Sequence, residues 1–153
     1  TPRLSSAASD VYKRQLDSRP QGRQHEPLEG QLFEVAYETT FCATHVLHDG
    51  GKPIEPQHGH DWRVEVVAAG VTLDTLGGVV DFVHLKKAVG EICQRFHYGD
   101  ITTHPDFAGR SPSAEAVARY FFDEVRKTMG SEGRHLRRVR VWEAPGCSAT
   151  WSE

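Results

Sequence analysis

The sequence predicts an α+β domain: an antiparallel four-stranded sheet with two helices packed on one face, in the order β-β-α-α-β-β. Three observations predict it. Two stretches alternate apolar and polar residues, as half-buried strands do. Two later stretches repeat apolar residues at steps of three and four, as amphipathic helices do. The end of the chain holds two short apolar runs on either side of Pro145-Gly146, a turn pair.

The first strand starts at Leu32. Phe33, Val35, Tyr37 and Thr39 alternate with mostly polar residues, and Phe41, Ala43 and His45 keep the same parity. Side chains alternate across a strand, so His45 shares the face of Phe41 and Ala43 while Cys42 points the other way. Residues 47–57 are rich in Gly and Pro and read as a loop. The second strand runs through Trp62, Val64 and Val66, with Leu73 as its far limit, and carries His58 and His60 on one face at its start. Gly77-Gly78 marks the turn that ends this region. Asp81 opens the first helix, whose stripe is Phe82, Leu85, Val89, Ile92 and Phe96. A polar loop, 99–110, leads to the second helix. Ser111 or Ser113 caps it, Pro112 lies near its first turn, and its stripe is Val117, Phe121 and Val125. Gly130 is a natural stop. The closing strands are 139–143 and 148–151.

The chain has 153 residues, enough for one domain with a sizeable core. Residues 1–31 are polar, lack any hydrophobic period and are expected to be a non-native or disordered N-terminal segment; 5–15 look like a translated sequencing adapter. The domain proper is 32–153. The formal net charge is −3 with both signs mixed, so no basic track suits a nucleic-acid backbone. The most basic stretch, 134–140, mixes Arg with Leu and Val and reads as a strand with one solvated face. No apolar run reaches spanning length. Cys42, Cys93 and Cys147 form no CxxC pair and cannot all pair with one another, which suits a reducing, cytoplasmic setting.

His58-Gly59-His60 is a weak signal alone. With nine histidines, an H-x-H pair arises by chance in roughly four of ten such sequences, so context must decide. The context is His45. It ends one strand, the His58/His60 pair begins the next, and a hairpin brings those ends together. Three imidazoles with an open fourth position describe a catalytic zinc site. Such an ion polarises a bound hydroxyl or carbonyl, or acidifies a water.

Five segments occur in order: Phe41-Cys42-Ala43-Thr44-His45, His58-Gly59-His60-Asp61-Trp62, Gly78-Val79-Val80-Asp81-Phe82, Pro112-Ser113-Ala114-Glu115 and Val141-Trp142-Glu143. Together they resemble the 6-pyruvoyl-tetrahydropterin synthase and 6-carboxy-tetrahydropterin synthase family over about residues 32–151. The resemblance implies the tunnelling fold, zinc on His45, His58 and His60, and a pterin substrate, 7,8-dihydroneopterin triphosphate. It implies a homo-oligomer, commonly a hexamer, with active sites between subunits. It also implies that Glu143 anchors the pterin. A carboxylate can accept two parallel N–H donors from a 2-aminopyrimidinone ring. On residue type alone Glu143 is equally well an exposed strand-end carboxylate.

The family pattern breaks in two places. Its usual base, a cysteine in the loop before HGH, is missing; Lys52 and Ile54 stand where the two branches carry it. The usual Asp-His pair after the first helix is replaced by His97 and Tyr98. Glu55 offers a substitute, because Glu55-Pro56-Gln57-His58-Gly59-His60 resembles the E-x-x-H-G-H variant, in which a glutamate replaces the cysteine and hydroxymethyl-dihydropterin is the product. The plain alternative is that Glu55 is a solvated loop residue. His48 and His97 are further candidate bases, since histidine titrates near neutral pH. Three readings follow. One is a zinc-dependent lyase on the queuosine or folate route. Another is a zinc- and pterin-binding paralogue without catalysis. The third is a zinc hydrolase on an unrelated substrate.

Overall fold

The computed structural model of the chain describes residues 31–153, so the expectation for the N-terminal segment lies, but for Gln31, outside the described residues. Strand β1 (Phe33–His45) pairs antiparallel with β4 (His58–Gly70) along its whole length, from Phe33 opposite Gly70 to His45 opposite His58. The long alternation in the sequence pins this register. A slip by one residue would turn Phe41, Ala43, Trp62 and Val64, all buried, onto the solvent face. β4 then pairs with β6 (Leu136–Ala144), and β6 with β7 (Cys147–Ser152), both antiparallel.

The predicted four-strand sheet needs one correction. A fifth strand, β5 (Gly99–Asp100), runs parallel to the end of β1, giving a mixed sheet in the order β5-β1-β4-β6-β7. Two residues carry no periodicity, so pattern reading assigned them to a polar loop. The loop between the long strands is also partly ordered: β2 (His48–Asp49) and β3 (Lys52–Pro53) form a small hairpin. Gly50 and Gly51 make its turn at φ 54° and 79°, the left-handed values a tight two-residue hairpin requires.

Both helices lie on the face of the sheet that carries Phe41, Trp62, Val64, Val139 and Val141. Helix α1 (Phe82–Phe96) is capped by the Asp81 carboxylate, which accepts from the Val83 N–H at 2.8 Å. Leu85, Val89, Ile92 and Phe96 are buried as the stripe predicts, but Phe82 is half exposed because it sits in the first turn, beyond the edge of the core. Helix α2 (Ala114–Thr128) is capped by Ser113, not Ser111; Pro112 precedes the cap. Its stripe, Val117, Phe121 and Val125, is buried, and Gly130 follows the helix at φ 55°. Among the described residues no helix is long and apolar enough to cross a membrane.

A carboxylate ties the start of α1 to the 3-10 turn Gly130–His135. Glu132 accepts from the Asp81 N–H at 3.0 Å and from His84 Nδ1 at 2.6 Å. The Asp81 amide, and then His84, hold its pKa below the ordinary 4.5. A depressed carboxylate contributes stability above its unfolded-state pKa and loses it as pH falls through the folded value. Glu132→Gln is therefore expected to unfold at lower urea than wild type at neutral pH, with the gap closing below pH 4.5. Urea midpoints measured down the acid limb check this.

Candidate metal and substrate site

The register of β1 and β4 builds the site. His45 faces His58, and Ala43 faces His60, so all three imidazoles rise from the core side of the sheet at one end of the hairpin. Glu143 joins them from β6, where it continues the buried parity of Val139 and Val141. One nitrogen from each histidine and one Glu143 oxygen lie within 4.8 Å of one another. Ring centroids of His45 and His58, and of His58 and His60, are 4.7 Å apart.

Backbone carbonyls aim two of the rings. His45 Nδ1 lies 3.0 Å from the Pro112 carbonyl, and His58 Nδ1 lies 3.0 Å from the Pro56 carbonyl. A carbonyl only accepts, so each Nδ1 carries the proton and each Nε2 presents its lone pair to the cluster. The Trp62 indole, fully buried, supports His45 edge-on at 5.0 Å and His60 at 5.8 Å. Nε2 of His45 and Nε2 of His60 are buried without a hydrogen-bond partner. Buried polar atoms are rarely left so. Burial lowers the His60 pKa, against the smaller opposing pull of the Glu143 charge. A neutral imidazole with a free lone pair is the form that binds a metal. The donor set of three imidazoles and a carboxylate fits a divalent cation such as zinc.

The other candidates fall in different places. The Glu55 carboxylate accepts from the Leu47 N–H at 3.1 Å and lies 3.9 Å from His58 Nδ1, beside the cluster. His48 turns Nδ1 to the Val46 carbonyl and lines a separate cavity of about 390 Å³ with Thr102, Arg110 and Ser111. His97 sits at the β1 edge, where its Nδ1 accepts from the Cys42 N–H at 3.2 Å and its ring lies against Tyr98. Cys42 faces the outer side of the sheet, as its parity predicts, and donates its thiol to Asp61 at 2.7 Å. That bond to a carboxylate is the main cause that raises the thiol pKa. An open hollow of about 560 Å³ lies on this side, reached by Cys42, Thr44, Asp61 and Tyr98. It meets the histidine cluster only through His60.

Sequence reasoning did not anticipate the Pro112 and Pro56 carbonyls, which leave no mark in residue type. Nor did it set Glu143 beside the histidines: its two readings were a pterin anchor and an exposed strand-end carboxylate. Its shared parity with Val139 and Val141 was the available sign that it faces the histidines.

The family model of 6-pyruvoyl tetrahydropterin synthase matches residues 34–153. The chain belongs to the 6-pyruvoyl tetrahydropterin synthase family. Within it the chain is 30% identical over 109 residues to an Archaeoglobus fulgidus protein provisionally named 6-carboxy-5,6,7,8-tetrahydropterin synthase, a match spanning 71% of this chain and 86% of that one. It is 28% identical over 122 residues to the 6-carboxy-5,6,7,8-tetrahydropterin synthase of Aquifex aeolicus, spanning 63% of this chain and 74% of that one. Its fold matches the 6-pyruvoyl tetrahydropterin synthase of Caenorhabditis elegans with a TM-score of 0.73 at 22% identity, over 80% of this chain and 96% of that one. It also matches the Plasmodium vivax 6-pyruvoyltetrahydropterin synthase, in a variant whose catalytic glutamate is replaced by alanine. That TM-score is 0.66 at 18% identity, over 80% of this chain and 98% of that one.

Proposed function

We propose that this family member is a zinc-dependent lyase acting on 7,8-dihydroneopterin triphosphate. The observation that carries the reading is the cluster of His45, His58, His60 and Glu143, with two buried imidazole nitrogens aimed inward and unpartnered. His45, His58 and His60 hold the zinc. When bound, the ion supplies Lewis acidity that makes a hydroxyl of the substrate side chain easier to deprotonate. Glu143 receives the pterin ring, accepting its two parallel N–H donors. Glu55 is the proposed base. Its carboxylate is held by the Leu47 N–H on the loop that leads into His58, within reach of a substrate lying over the cluster. A glutamate is also a catalytic residue of the Plasmodium vivax enzyme, which favours a carboxylate among the catalytic groups here.

Two products are compatible with these residues. The names of the relatives favour 6-carboxy-tetrahydropterin, on the queuosine route. Glu55 in place of the family cysteine favours 6-hydroxymethyl-dihydropterin, on the folate route. The protein is further proposed to be a cytoplasmic homo-oligomer, hexameric on the family's pattern, and its three free thiols suit that compartment.

Incubating zinc-loaded protein with dihydroneopterin triphosphate, then oxidising and separating the fluorescent pterins, identifies the product. Glu55→Gln is expected to lower kcat by about 10²- to 10⁴-fold, the usual worth of a general base, while leaving zinc content unchanged. An unchanged kcat would remove Glu55 from the mechanism. If wild type gives no turnover and binds pterin tightly only with Glu143 intact, the protein is the non-catalytic paralogue.

A further inference from the structure

We propose that Glu143 is a fourth metal ligand in the resting protein and leaves the metal when pterin takes its carboxylate. The inference rests on the zinc and pterin reading above and adds an exchange between the two roles of one side chain.

The distances carry it. Glu143 Oε1 lies 3.4 Å from His60 Nε2 and 3.5 Å from His45 Nε2. Neither contact is a hydrogen bond, and both nitrogens are unpartnered. A direct charge-assisted bond would be shorter, about 2.7–2.9 Å. Zinc bonds of about 2.0–2.2 Å at tetrahedral angles place neighbouring donor atoms about 3.3–3.6 Å apart. The carboxylate oxygen therefore stands at the spacing of a ligand sharing an ion with the two imidazoles, and too far for a partner of either alone. Its second oxygen is left for other contacts.

The strand explains how Glu143 can leave. Its neighbours Trp142 and Ala144 are registered with Ser148 and Cys147 of β7, but the register shifts between them, so Glu143 occupies an irregularity. Its side chain is 25% exposed while that of His45 is fully buried. The histidine rings are oriented by carbonyls (His45 and His58) and by Trp62 (His45 and His60), whereas the Glu143 carboxylate has no hydrogen bond to either imidazole that it faces. Two parallel pterin N–H donors engage both carboxylate oxygens, including the Oε1 that faces the imidazoles, so the metal and the pterin compete for that oxygen. Pterin binding would thus free one coordination position, which the substrate side chain could take.

Cobalt substitution reads this without turnover, because visible absorption reports the ligand set. The proteins are wild type, Glu143→Gln and Glu143→Ala, and the probe is bare pterin, which has no side-chain hydroxyl to bind the metal. The cobalt spectrum of Glu143→Ala is expected to differ from wild type, and its zinc affinity to fall by at least 10-fold, with Glu143→Gln between them. Saturating pterin should shift the wild-type spectrum toward that of Glu143→Ala. Superimposable spectra with zinc affinities within twofold would overturn the fourth-ligand claim. A wild-type spectrum that pterin leaves in place would overturn the exchange. Failure of the zinc reading itself looks different: wild type would then retain neither metal.

Discussion

His58→Ala is expected to strip the protein of tightly bound zinc and of turnover, with little change in the stability of the metal-free fold. Structural zinc sites of four ligands bind with about 10–16 kcal/mol, so losing one ligand costs on the order of 3 kcal/mol, roughly a hundredfold in affinity. The His58 side chain is 37% exposed and lies outside the packed core, so its loss leaves no large cavity. His48→Ala is the internal control. Its ring faces the Val46 carbonyl and a different cavity, so zinc affinity should stay within about twofold. Zinc per chain after dialysis, followed by competition with a chromophoric chelator, gives both answers. Retention of zinc by His58→Ala would remove the metal site from this hairpin.

The contrast between His58 and His48 shows which parts of the site the sequence could carry. A period of two along residues 33–45 and 58–70 is a long-range statement, because it fixes the face of every residue once the hairpin register is set. His45, His58 and His60 therefore converge as their parity says, and Cys42 turns away. The helices were legible for the same reason, with Asp81 and Ser113 supplying caps of ordinary chemistry. His48 and His97 had no such frame. They lie in a turn and just beyond a helix end, where direction depends on which backbone group the ring bonds: the Val46 carbonyl for one, the Cys42 amide for the other. β5 escaped because two residues pairing through the Ile101 N–H and the Thr44 carbonyl need no side-chain pattern. Glu143 is intermediate. Its parity was readable, but its 3.4 Å approach to His60 depends on β4 lying between β1 and β6, an order the sequence does not state.

Trp62→Ala should show that core and site are one construction. The indole is fully buried, stacks on Phe41 with centroids 6.0 Å apart, and donates Nε1–H to the Ala43 carbonyl at 3.3 Å. Deleting a buried Trp side chain costs about 3–5 kcal/mol, a large share of the stability of a domain this size. Its edge contacts with His45 and His60 add a second consequence. Without the ring both imidazoles gain freedom, so metal binding must then order them. Zinc stabilises the folded state in proportion to the logarithm of its concentration over Kd. The expected result is a large drop in the urea midpoint of metal-free Trp62→Ala and a narrower gap between its metal-free and zinc-bound midpoints than in wild type. Trp62→Phe, which keeps a ring and loses the bond to Ala43, should fall between the two on both counts. Measurements at one protein concentration keep any assembly effect constant. A gap equal to that of wild type would mean that Trp62 fills space in the core and that the Pro112 and Pro56 carbonyls alone aim the histidines.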